Sequence, residues 1–418
     1  MTQFNRTLRL IALFFLIAAL LVPAALCEHS REELRDMWNE LPPLVQGSLF
    51  AETPSLIPPY TPGALTDAAL NDALQYAIFV RALAGLDDPI SLSDQLNATA
   101  QSAALLLAVG GVLSHQPEQP EGFPDELFAS GADGAAGGNL ASFNWIAPDL
   151  LRRAIEGFLL DEDERNASVA GHRRWLLNPR MRHTGFGFAR DRAGRSVAVM
   201  YVLDRSGDAD YDMVRWPAPG AFPAELMTAG TPWSVSLNPA RYDLSLSEPA
   251  LMMEELTLGL RFAFDSPGEF QPDGAFFVLD EERHGDGPAL LFRPVIEGGY
   301  RQNQRWRVTI SGIVGADGEP VEPVVYTVEI ASLTPIDAAD VEIDDVAISV
   351  YVRDEIALVA RVVPDWADDL SIAWSSDAPE IASVDENGVL TAHGTGAVTV
   401  TAAAVNGRRA EIVIEVGG

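Results

Sequence analysis

Up to about residue 179 the apolar residues of this chain recur at the three- and four-residue spacing of helices. Beyond it they fall into short alternating runs broken by Pro, Gly and Asp. An alternating stripe buries nothing on a helix, and a helical stripe buries nothing on a strand, so the change of period sets the order of the fold: helices first, sheets after. The period predicts a helix from Arg31 to about Leu41, with Leu34, Met37, Trp38 and Leu41 on one face and Pro42 and Pro43 as its stop. It predicts a second behind the N-cap Thr66, carrying Leu70, Leu74, Ala77, Ile78 and Val80. A third runs from about Ser93 to Leu107 before Gly110 and Gly111, and a fourth opens at Pro148 with Leu151, Ile155 and Phe158, ending in the acidic run Asp161, Glu162, Asp163, Glu164. The Gly-rich stretch between these last two reads as a loop.

After Pro179 come β-like runs at 184–189 and 197–203 around a turn at 191–194, which makes the first unit α+β and ends it near Asp212. Further runs at 233–237, 256–264, 275–279, 290–292, 306–310 and 324–330 predict a β-sandwich, and the same style from Val341 onward, with runs at 357–362 and 397–402, predicts a second, smaller one. The expected division is a leader over 1–27, an α+β domain with an N-terminal extension over 28–213, a β-rich sandwich over 214–335 and a last module over 336–418. At 418 residues the chain has room for these domains.

The leader sets the compartment. Arg6 and Arg9 precede an apolar run over 10–22 that continues to Cys27, with Ala24 and Ala25 ahead of Glu28, His29 and Ser30. This is the layout of a signal peptide, so the mature chain is expected to be extracellular or on the cell surface. Anchoring as a lipoprotein through Cys27 is the weaker alternative, because Leu26 stands where a small residue is wanted. No second run is long enough to span a bilayer. Acids outnumber bases by 60 to 28 and every one of those bases is an Arg. Nucleic acid is therefore excluded as a partner, since a phosphate backbone needs a basic footprint, and Lys-based covalent chemistry has no residue to run on. A single Cys leaves stability to packing.

Two of the six His stand in suggestive surroundings: His115 in Leu113-Ser114-His115, and His172 in Gly171-His172-Arg173-Arg174-Trp175. Imidazole serves as metal ligand or proton shuttle, but a zinc site needs three or four converging ligands, and two distant His read equally as hydrogen-bonded structural residues. The acidic run 161–164 is either a solvated charge run or a source of carboxylates for His172; Arg165 and Asn166 stand where an EF-hand would need other residues. Asn97-Ala98-Thr99 and Asn166-Ala167-Ser168 match glycosylation sequons, and no hydrolase, zincin or phosphate-loop motif occurs. Catalytic residues stay unknown at this level.

The ordered blocks Leu96 to Gln101, Leu113-Ser114-His115, Gly138-Asn139-Leu140-Ala141, Gly171-His172-Arg173-Arg174-Trp175-Leu176-Leu177-Asn178-Pro179 and Gly185-Phe186-Gly187 resemble the CAP superfamily of cysteine-rich secretory, antigen 5 and pathogenesis-related proteins over about 65–203. The resemblance implies an α-β-α sandwich whose cleft gathers two His and two acids. By motif, His115 and His172 are the His, Asp161 is one acid, and Asn139 belongs to the cleft. The other acid, normally in Gly-Glu-Asn, is replaced by Gly138. The residues around Trp374-Ser375-Ser376-Asp377, Ile381 to Asp385 and Asn387 to Ala392 resemble a bacterial immunoglobulin-like domain of group 2, a usual cell-surface spacer or adhesive unit.

These resemblances, with the β-like runs between them, give the expected fold class: an α+β chain of a CAP-like α-β-α sandwich followed by two all-β Ig-like sandwiches. The expected function is non-catalytic ligand binding or adhesion at the cell surface, with a lipid, a small molecule or another surface as partner. The alternative is a metal-dependent hydrolase in which His115, His172 and Asp161 hold a divalent metal such as zinc.

Overall fold

A computed structural model describes residues 28–418 except 209, 283 and 345–348; the leader, including Cys27, lies outside the described residues. The first unit contains six helices, α1 (Arg31–Asn39), α2 (Asp67–Ala82), α3 (Asp94–Gly110), α4 (Asp125–Ala136), α5 (Leu150–Leu160) and α6 (Gly171–Leu176). Local chemistry sets their ends. Ser30 and Glu33 close a capping box on α1, the Thr66 hydroxyl accepts from Ala69 N to start α2, and Gly111 in the left-handed region stops α3.

These helices sandwich a four-stranded sheet of β1 (Ser91–Leu92), β2 (Gly138–Phe143), β3 (His183–Arg190) and β4 (Ser196–Tyr201), in the order β1-β3-β4-β2. The two-residue period of the strands divides its faces. Phe186, Phe188, Ala198 and Met200 join the core beneath α2 and α5, while Ala189, Val197 and Val199 pack against the Ala-rich face of α3. Between them Gly185 and Gly187 let α3 lie directly on the β3 backbone: a Cβ at either would stand 2.2 Å from Leu96 C or 2.1 Å from Ala100 O.

The stretch expected to be a Gly-rich loop holds α4 and the strand β2, a correction with a physical reason. Gly131 and Gly134 are contact points between helices: a Cβ at Gly134 would lie 2.4 Å from Thr99 O of α3, and one at Gly131 would lie 2.9 Å from Ser102 O. In this pair of helices glycine provides closeness rather than a turn.

Two β-rich parts come next. Leu260–Phe264, Ala250–Glu255, Arg305–Ser311, Val324–Ala331 and Gly220–Pro223 form one sheet, and Phe276–Asp280, Ala289–Arg293, Trp233–Leu237 and Met213–Trp216 form a second. The run expected over 256–264 is a strand only from Leu260, with 256–259 forming the turn before it. Trp233 and Trp306 are fully buried here, and the Trp233 indole donates to the Tyr300 hydroxyl at 2.6 Å. The C-terminal part has its own core of Val350, Leu358, Leu390, Val398, Val400 and Ile414.

The first unit and the sandwich after it share one buried cluster, running from Leu34, Tyr76 and Phe158 through Trp216 and Phe222 to Trp233 and Leu333. The N-terminal segment straps all three parts. The His29 ring bonds Ala82 O of α2 at 3.1 Å while its carbonyl accepts from Ala221 N at 2.7 Å. Trp38 packs on Tyr76 and Phe79, Arg31 reaches Glu329, and Arg35 donates to both oxygens of Asp368 at 2.9 Å. Asp368, in the C-terminal part, also accepts from Ile336 N and Gln302 Nε2. Among the described residues no helix is long and apolar enough to cross a membrane.

Candidate functional site

Two of the residues expected to line a cleft, Asp161 and His172, are placed by the end of α5 and the start of α6. Asp161 terminates α5 in the left-handed region, φ +46°, which turns its carboxylate back into the domain, where it is buried. One oxygen faces His172 Nδ1 at 2.7 Å, and the other accepts from Arg173 N at 2.9 Å. Ala170, at the N-cap of α6, has no side-chain acceptor, so Asp161 supplies from outside the helix the acceptor its first turn lacks. Phe158, one turn earlier, lies 5.6 Å from the imidazole, ring centre to ring centre.

Asn139 is buried at the start of β2 and donates through Nδ2 to the His172 carbonyl at 2.8 Å. It holds the helix carrying His172 and keeps its own amide for that task. With Nδ1 committed to Asp161, the other ring nitrogen of the half-buried His172 is the group left for a ligand. Burial draws the imidazole toward its neutral form, but the hydrogen bond and charge of Asp161, with the charge of Asp163 behind it, prevail and hold its pKa above the usual value.

His115 is exposed on the loop after α3, with Nδ1 against Ala135 O at 2.8 Å in the last turn of α4. Both His are therefore tied to the segment 135–139, one through Ala135 and the other through Asn139. The fold joins Asp161 to His172, but among the described residues His115, Asp161 and His172 do not bring three ligand atoms within 4.8 Å of one another. Gly138 explains the absent acid sterically. A Cβ there would lie 2.7 Å from Gly134 O and 2.8 Å from Val199 Cγ1, so the backbone has closed over the place where a glutamate side chain would start.

The next two members of the acidic run are held in hydrogen bonds, and Glu164 is exposed. Glu162 accepts from Thr228 Oγ1 and Thr231 Oγ1 of the sandwich, and Asp163 accepts from Asn166 Nδ2 at 2.7 Å. Arg173 and Arg174 have roles that their place in the motif did not disclose. Buried Arg173 donates to Leu159 O, Leu160 O and Pro232 O, and buried Arg174 donates to Asp280 and to the carbonyls of Val169, Glu282 and Gly287. Adjacent arginines inside an otherwise apolar motif were the available signal: two such cations can be buried only if carbonyls or carboxylates receive them.

The second cluster went unread in the sequence, where Asp280, Glu282 and His284 sit at alternate positions after a β-like run. One ligand atom from each lies within 4.8 Å of the others, a set that could hold a metal ion, with Asp280 buried and Glu282 exposed. His284 abuts Gly171, so this cluster flanks α6. Arg174 already donates to the Asp280 oxygen facing His284, and a guanidinium on that oxygen opposes a cation. The donors thus fit a metal poorly.

Residues 80–204 match the cysteine-rich secretory protein family, and this segment is a CAP domain. Residues 337–414 match the bacterial Ig-like domain (group 2), so the chain joins a CAP domain to a bacterial Ig-like domain, with further β structure between them. No curated protein matches the chain. Among solved structures, an intimin mutant from EHEC O157:H7 is 19% identical over 18% of this chain and 45% of its own, with a TM-score of 0.16. The N-terminal part of the bacterial S-layer protein SbsC is 10% identical over 50% and 43%, with a TM-score of 0.18. The chain thus spans under half the length of either, and at such scores the likeness carries nothing about what it does.

Proposed function

We propose that the protein is a non-catalytic binding or adhesion protein of the cell surface, in which the CAP domain offers His172 to a ligand and the β-rich parts display it. The observation that carries this reading is the full engagement of Asp161. Each of its oxygens already accepts a hydrogen bond, one from His172 Nδ1 and one from Arg173 N, which makes it the partner that orients the imidazole rather than the group that meets a ligand. Gly138 offers no second carboxylate, and His115 has one nitrogen on Ala135 O. The cell-surface placement rests on the leader pattern and on the Ig-like module.

Isothermal titration with zinc and a panel of lipids and small molecules, on the chain and on His172→Ala, tests the proposal. Saturable binding of a panel member that His172→Ala weakens, with no turnover, is the expected result. Hydrolysis of a substrate that His172→Ala abolishes, together with stoichiometric zinc, would overturn it in favour of a metal-dependent hydrolase built on His115, Asp161 and His172.

A further inference from the structure

We infer that the end of the CAP domain built around the β3–β4 turn is a docking surface for an anionic lipid membrane, separate from the His172 site. Three loops meet there, each held by one backbone carbonyl. Arg192 donates to Leu56 O at 3.0 Å, Arg195 donates to Gly111 O, and Ser196 Oγ donates to Trp145 O at 2.7 Å. Immediately beside each anchored carbonyl an apolar side chain stands in solvent: Ile57 is 60% exposed, Val112 64%, Trp145 42% and Ile146 48%. The segment 192–196 therefore holds three separate stretches of sequence at one end of the domain, each with an exposed apolar side chain at or next to its anchored carbonyl. Scattered exposed apolar residues are ordinary, but a set converging on one edge marks an interaction surface.

Charge selects the occupant. Arg190 at the end of β3 and Arg192 and Arg195 in the turn stand together here, in a chain whose net charge is −32. Arg195 is paired with Asp191, but among the described residues neither Arg190 nor Arg192 has a carboxylate within 4.0 Å, and both are exposed. Glu118 borders the groove behind Val112, so the attraction is modest. Exposed apolar side chains with a Trp among them, flanked by two arginines whose guanidinium groups hold only backbone carbonyls, suit a bilayer interface: the apolar groups enter the headgroup boundary while the arginines meet lipid phosphates.

The test is co-sedimentation of the chain from residue 28 onward with vesicles of equal parts phosphatidylglycerol and phosphatidylcholine, and with vesicles of phosphatidylcholine alone. The expected result is binding to the anionic vesicles that falls about tenfold or more in Arg190→Glu/Arg192→Glu and in Trp145→Ser/Ile146→Ser. Leu258→Ser, which removes an exposed leucine on the 256–259 turn, should bind as the parent does. All the substituted residues are exposed, and matching thermal melts establish that each variant is folded. Absence of binding to anionic vesicles, or binding that neither double variant weakens, would overturn the inference and leave the surface to a protein partner. His172 is untouched throughout, so failure here leaves the reading of the cleft standing.

Discussion

The Arg174 guanidinium and the Asp280 carboxylate form a buried ion pair that joins α6 of the CAP domain to the sandwich after it. Removing one partner of such a pair strands the other in a medium where it is poorly solvated. Arg174→Met is expected to cost about 3–5 kcal/mol, since it also frees the carbonyls of Val169, Glu282 and Gly287. Urea denaturation followed by both tryptophan fluorescence and far-ultraviolet dichroism checks this. The CAP domain and the sandwich should lose structure in one transition, because their buried side chains form one cluster; two well-separated transitions for these parts would contradict that.

Asp161→Asn keeps the shape but removes the charge and one of the two accepted hydrogen bonds, because an amide has a single oxygen for His172 Nδ1 and Arg173 N. The amide oxygen can still accept from His172 Nδ1, but the charge that raises the imidazole pKa is gone, so His172 should titrate at lower pH, as followed by its ring proton resonances. The sign for stability is then fixed. Because the folded-state pKa of His172 lies above its unfolded value of about 6.5, the imidazolium contributes stability below that pH. This contribution is lost as pH rises through the folded pKa. The parent should therefore lose stability over that window, and Asp161→Asn should flatten the loss.

Gly138→Glu would restore in composition the acid usual in the family. It is expected to lower stability by about 1–3 kcal/mol, an overpacking cost, because its Cβ must push against Gly134 O and Val199. Zinc titration of the variant should show no gain in affinity over the parent. A gain of tenfold or more would mean that the backbone at 134–138 yields easily.

Asp368→Ala removes the acceptor that Arg31, Arg35, Gln302 and Ile336 N share where the strap meets the C-terminal part. The expected outcome is a larger radius of gyration by small-angle X-ray scattering, with the urea midpoint of the CAP domain and the sandwich little changed. Burial favours the protonated form of Asp368, but its bonds to Arg35 and Ile336 N hold its pKa below the usual carboxylate value. The stability it lends the joint is thus present above the unfolded carboxylate pKa and lost as pH falls through the folded one, so acid should loosen the parent in the same way.

The elements with strong periods were legible in the sequence. The Thr66 cap, the Gly111 stop and the strand Trp233–Leu237 stand where pattern and turn chemistry put them. The helix α4 was not, because a glycine that lets two helices touch is indistinguishable in sequence from one that bends a loop. Of the cleft, the link between Asp161 and His172 was legible through the resemblance, whereas the work of Asn139 on the His172 carbonyl was not, since one side chain bonding one backbone atom leaves no periodic trace. The same holds for Asp280 and Arg174, whose pairing spans 106 positions and is set by the packing of one part on another.

The unbroken apolar interior reaching from Leu34 to Leu333 limits how this gene could be cut or recombined. A fragment ending near residue 213 would cut through this cluster, leaving Tyr76, Phe158 and Leu176 without the part of it that Trp216 and Phe222 supply, and such a fragment should come out of expression as aggregate. Exchange between genes, or excision in the laboratory, would have to carry the first four-fifths of the protein as a single piece and could replace only the C-terminal Ig-like module, giving up the joint at Asp368.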